Sequence, residues 1–193
     1  MRRVPSVNLL EEILELPDQD FLEWFWLKDT YEAPAEVPTI LILHGLEGCA
    51  RSNYVQDLMR QLGSLGWRAV VKQYRNCGEK PNRLAQSYHA MRWQELDWTV
   101  ENLRGRFPEA PIGVVGFSIG GSILLNWLGQ NEVRNIAAAC AISVPYKLAP
   151  CADRLNQGFS KIYQTYLMGR LKRSAVRKWA LLKDALGLSS LSQ

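Results

Sequence analysis

The sequence predicts an α/β domain in which an N-terminal antiparallel hairpin leads into a mostly parallel sheet with helices on both faces. Three observations carry the prediction. Apolar runs suited to strands alternate with helical patterns from residue 39 to residue 143. Two of these runs, Thr39–Leu43 and Ile112–Val115, place apolar residues at successive rather than alternate positions, as strands covered on both faces do. The second run passes directly through Gly116-Phe117-Ser118-Ile119-Gly120 into a helical pattern, so a buried strand, a very tight turn and a helix follow one another.

Composition sets the bounds. The chain has 193 residues, 47% of them apolar, which is enough for the core of a single domain. No apolar run approaches the ~18 residues of a membrane-spanning helix, and Ile136–Ile142 is far too short. Met1–Pro5 carries two arginines with no apolar stretch behind them, which fits neither a secretory nor a twin-arginine signal, so a cytoplasmic protein is expected. Cys49, Cys77, Cys140 and Cys151 are scattered without metal-ligand or disulfide spacing. No metal or organic cofactor is implied, and Cys140, in an apolar run, is expected to be a small buried hydrophobe.

The net charge of +4 hides an asymmetry. Residues 1–146 carry 14 Lys/Arg against 17 Asp/Glu, whereas residues 147–193 carry 9 against 2. The basic segment reads first as a solvated helix face and second as a weak contact for an anionic membrane surface; no nucleic-acid partner is expected.

The elements follow in order. Glu11–Leu16 and Phe21–Leu27 alternate in polarity and are joined by Pro17-Asp18-Gln19-Asp20, which predicts the hairpin. Pro34 and Pro38 mark a loop before the central strand Thr39–Leu43. A helix is expected from about Asn53 to Leu65, with Leu58, Leu62 and Leu65 on its apolar face and Gly66 ending it. Trp67–Lys72 is the next strand. Tyr74–His89 is a long polar loop, and structureless loops of that length are more often functional than idle. Trp93–Phe107 is a helix with Leu96, Val100 and Leu103 on one stripe, and a strand is expected over Ile136–Ser143. Helices then fill residues 153 to 187, where Phe159, Tyr163, Tyr166 and Leu167 recur at helical spacing; core packing explains that stripe first, an acyl-chain pocket second.

Ser118 is the nucleophile candidate. Gly116 and Gly120 allow the sharp turn that exposes it, and Gly121 lets the following helix pack close to the sheet. Acyl transfer also needs donors for an oxyanion. One candidate is the backbone N–H of Ile119, at the positive end of a helix; the other is that of Leu46, in the turn His44-Gly45-Leu46-Glu47-Gly48 after the central strand. The base is harder to find. Both histidines, His44 and His89, precede Ser118, and the later carboxylates Glu132, Asp153 and Asp184 have no histidine to orient. His44 reads as a structural histidine bonded within its turn. His89 lies at the same edge of the sheet as Ser118 and is the weaker candidate for the base.

Taken together, His44–Gly48, Tyr74–Gly78 with Pro81-Asn82-Arg83, Tyr88-His89, Gly116–Gly121 and Asn156–Tyr163 resemble the YheT-type branch of the α/β-hydrolases, related to the eukaryotic abhydrolase-domain lipases and esterases. The resemblance implies one α/β-hydrolase domain over residues 1–193, divided into a sheet core (1–146) and a helical cap-like segment (147–193). It implies hydrolysis of short- to medium-chain acyl esters or acylglycerols through an acyl-Ser118 intermediate, with Leu46 and Ile119 as oxyanion donors. Asn76 stands where the family usually has glycine. The family continues past the cap with further strands, a catalytic acid and a catalytic histidine. The expectation is therefore that Ile136–Ser143 forms an apolar sheet edge open to self-association and that this polypeptide alone is poorly soluble or inactive. The alternative is a non-catalytic remnant or pseudoenzyme that binds a partner.

Overall fold

The computed structural model describes residues 5–130 and 136–185. The reading of Met1–Val4 as lacking a signal, the carboxylate Glu132 and the end of the last helix beyond 185 lie outside the described residues. One six-stranded sheet organises the chain, in the order β1-β2-β4-β3-β5-β6. β1 (Leu9–Glu15) and β2 (Phe21–Leu27) form the antiparallel hairpin, with Leu9 opposite Leu27 and Glu15 opposite Phe21. β2 pairs antiparallel with β4 (Arg68–Lys72). β3 (Thr39–Leu43), β4, β5 (Ile112–Phe117) and β6 (Ala138–Ile142) are mutually parallel, with Leu41 opposite both Val70 and Val114.

The continuous apolar run of β3 is explained by what covers it. Leu41 and Leu43 pack on one face with Leu96, Val100 and Leu103 of α2 (Gln94–Arg106) and with Leu124 and Trp127 of α3 (Ile119–Gln130). Ile40 and Ile42 pack on the other with Val55, Met59 and Leu62 of α1 (Asn53–Ser64). Each of these four aliphatic side chains contributes about 1.5–3 kcal/mol by leaving water. The same two-sided cover reaches β2, which is buried at every position. β2 therefore does not alternate as expected: Trp24 and Trp26 join the α2/α3 layer while Phe25 and Leu27 join the α1 layer.

Three further expectations are corrected. Leu65 is 61% exposed, because α1 ends one residue earlier and Gly66, at φ +70°, turns the chain away. Cys140 is exposed, because β6 pairs only with β5 and no described element covers its outer side. The stripe on α5 (Ser160–Ala185) does not enter the core: Leu167 is buried, but Tyr163 and Tyr166 are more than half exposed, as is Phe159 just before the helix.

The open edge at β6 matches its sequence expectation. Ala138-Ala139-Cys140-Ala141-Ile142 has no charge to discourage pairing, whereas the opposite edge, β1, carries Glu11, Glu12 and Glu15 in ion pairs with Lys80, Arg106 and Arg83. A short helix, α4 (Leu148–Leu155), precedes α5. Among the described residues no helix is long and apolar enough to cross a membrane.

Candidate active site

Ser118 sits between the end of β5 and the start of α3 with φ +52°, a left-handed conformation that costs a serine about 1–3 kcal/mol. The surroundings hold it there. Its N–H donates to the Ile142 carbonyl of β6 at 2.8 Å, and its own carbonyl accepts the Ser122 N–H at 3.1 Å. The flanking glycines are required by close approach. A Cβ on Gly116 would lie 2.6 Å from the Gly120 carbonyl oxygen, and one on Gly120 only 2.5 Å from that of Leu43 and 2.7 Å from that of His44. The elbow is thus pressed against the end of β3, and a Cβ on Gly45 in the next turn would lie 3.4 Å from Ser118 Cβ.

That turn is closed by Gly48 N–H donating to the Gly45 carbonyl (2.9 Å) and carries Glu47 at φ +53°. The Gly45 N–H donates to Tyr54 Oη and the Glu47 N–H to Tyr88 Oη, both at 2.8 Å. Tyr88 Oη in turn donates to Glu47 Oε1 (3.0 Å), and Ser174 Oγ of α5 donates to Glu47 Oε2 (2.6 Å). Among the described residues, the N–H groups of Leu46 and Ile119 have no partner within the chain.

The structure does not bring a histidine to Ser118. His44 is completely buried; its Nδ1–H donates to the Gly45 carbonyl (2.8 Å) and its Nε2 accepts the Tyr74 N–H (3.3 Å). Both ring nitrogens are spent, and burial pulls the imidazole down to about 4, so the ring is neutral. His89 is exposed and does not line the cleft around Ser118. Among the described residues, none hydrogen-bonds to the Ser118 hydroxyl.

Above Ser118 opens a cleft of about 1020 Å³. Tyr54, Phe117 and Ile142 form one side and the outward stripe of Phe159, Ile162, Tyr163 and Tyr166 the other, with Arg170 held to Tyr166 Oη at 2.8 Å. The aromatic spacing that suggested core packing therefore serves the cleft.

A buried charge cluster, absent from the sequence reading, anchors the long loop behind this site. The Arg75 guanidinium donates to Asp18, Asp20 and Glu95 at 2.7–2.8 Å, and Lys72 Nζ reaches Glu95 at 3.1 Å. Asn82 donates to Asp20 and to the Phe21 carbonyl. Burial works to raise the Glu95 carboxyl, but Lys72, Arg75 and Arg92 outweigh it and hold it down to about 2. The one sequence signal was charge at the end of an otherwise apolar strand, Val71-Lys72-Gln73-Tyr74-Arg75. Among the described residues, no group of three His, Cys, Asp or Glu side chains could hold a metal ion.

A parallel sheet with an antiparallel hairpin and a serine on a left-handed strand-to-helix elbow defines a class, and the sequence match agrees: residues 38–192 match the alpha/beta hydrolase fold, and the chain belongs to that family. Within it the chain is similar to the putative esterase YheT of Escherichia coli, 35% identical over 178 residues that cover 91% of this chain and 52% of that protein. It is also similar to the mouse phospholipase ABHD3, 27% identical over 90% of this chain and 44% of that one. The solved structure of the Pyrococcus furiosus esterase Pf2001 superposes with a TM-score of 0.63 at 21% identity, covering 90% of this chain and 68% of that chain, which speaks for the fold. The chain spans about half the length of the curated relatives it matches.

Proposed function

We propose that this chain is a serine carboxylic-ester hydrolase acting on short- to medium-chain acyl esters or acylglycerols through an acyl-Ser118 intermediate. The observation that carries the reading is Ser118 on its strained elbow, lining an apolar cleft beside the unpartnered N–H groups of Leu46 and Ile119. In this reading Ser118 Oγ attacks the ester carbonyl and gives up its proton as the bond forms. The two N–H groups hold the oxyanion, and collapse breaks the bond to the alcohol, which leaves protonated. Water then repeats the sequence on the acyl-serine. Residues 147–193 act as a cap, and the aromatic stripe beside α5 takes the acyl chain.

The proton needs an acceptor, and His44 and His89 are both unsuited to take it. In this reading the proton passes to solvent water, without a histidine general base. Without it, about 10³–10⁴-fold acceleration over water remains from the other parts. The test is labelling by a fluorophosphonate ester: the wild type takes the probe at Ser118 and Ser118→Ala does not. A chain that takes no probe under prolonged exposure ends this reading.

The open β6 edge favours a second reading, a non-catalytic product that pairs this edge with a second copy or another strand. A stable complex on gel filtration with no probe uptake by Ser118 would select it.

A further inference from the structure

We propose that Tyr54 and Tyr88 are positioning residues that make Leu46 the single open donor of the turn after β3. This rests on the hydrolase reading above. The turn offers three consecutive backbone N–H groups, at Gly45, Leu46 and Glu47. The outer two are taken up by phenolic oxygens at 2.8 Å, one from α1 and one from the long loop. Only the middle N–H is left without a partner, one residue from Gly45, where an added Cβ would lie 3.4 Å from Ser118 Cβ. A turn with three open donors would be solvated by water and would not hold one geometry; two struts fix the plane of the peptides on either side of Leu46.

The struts are themselves fixed. The Tyr54 ring lies against Phe117, next to the nucleophile, at 4.8 Å between centroids. Tyr88 stacks on Tyr74 at 4.9 Å with the planes 13° apart, and Tyr74 packs edge-on against His44 at 4.3 Å. Tyr88 holds Glu47 twice, accepting from its N–H and donating to its carboxylate, which counters the cost of the φ +53° backbone there. The pairing spans 9 residues for Tyr54 and 41 for Tyr88.

Two variants, Tyr54→Phe and Tyr88→Phe, keep the rings and remove only the hydroxyls. The first measurement is residue-resolved amide exchange on the full chain. The Gly45 and Glu47 amides are expected to be protected and Leu46 to exchange freely; Y54F should speed Gly45 and Y88F should speed Glu47 by about tenfold. Protection at Leu46 equal to its neighbours overturns the proposal. The second measurement compares Ser118 phosphonylation by a P=O probe with that by its P=S analogue. Loss of a positioned oxyanion donor should slow the P=O reaction about tenfold and the P=S reaction less. Equal slowing of both, in step with the thermal midpoint, assigns the tyrosines a structural role only and overturns the proposal. If the exchange pattern is as expected and Ser118 takes neither probe, the donor assignment is supported and the hydrolase reading fails.

Discussion

Gly120→Ala places one methyl group where the elbow meets the end of β3. The new Cβ would lie 2.5 Å from the Leu43 carbonyl oxygen, 2.7 Å from that of His44 and 2.9 Å from the Leu43 carbonyl carbon. Ordinary contact begins near 3.4 Å, so the two backbones must part by about 0.9 Å. All three obstacles are main chain and cannot rotate away. Overpacking of this kind costs about 1–3 kcal/mol, or roughly 2–12 °C in the thermal midpoint of a chain this size. The displacement separates Ser118 from the turn that carries Leu46, and a misplacement of about 1 Å lowers reactivity about 10²-fold. The assay is the second-order rate of phosphonylation at Ser118 alongside a thermal melt. Gly105→Ala in α2 is the control: its Cβ meets nothing within 4 Å, and the exchange should stabilise by about 0.5–1 kcal/mol through helix propensity. If G120A matches the wild type in both rate and midpoint, the close approach of elbow to β3 is not what holds the serine.

Three more outcomes follow from the geometry. Burial depresses His44 from 6.5 to about 4, so the unfolded chain binds more protons between those values. Stability should then fall as pH drops from about 6.5 to about 4, and the His44 ring resonances should show a neutral imidazole above about pH 4. Glu95 is held at about 2 against an ordinary 4.5, so its contribution is present above about pH 4.5 and is lost as pH falls toward 2; Glu95→Gln should remove that second decline from denaturant melts. A maleimide should modify Cys140, exposed on β6, far faster than Cys77, whose thiol burial pushes up to about 12; equal rates at the two would contradict the open edge.

The parts of the fold legible in the sequence are those with a local cause. Thr39–Leu43 and Ile112–Val115 announced buried parallel strands because two-sided cover leaves no polar position. The elbow was legible because its glycines answer to backbone contacts within a few residues and at the neighbouring strand end. Periodicity located α2 and its stripe, and located the α5 stripe without revealing what it faces: a helix that walls a cleft and one that fills a core share the same spacing. The buried Arg75 cluster and the tyrosine struts were illegible for a different reason. Their partners are 9 to 57 residues away, and hydrogen bonds over such separations leave no period in the chain.

The bond from Ser118 N–H to the Ile142 carbonyl has a mechanical consequence. Ile142 closes β6, one of the two edge strands of the sheet, and outer strands breathe more readily than inner ones. The nucleophile is therefore moored to an edge of the sheet and not to its interior. A strand paired along Ala138–Ile142 would damp any breathing of that edge and, through one peptide oxygen, any displacement of the serine.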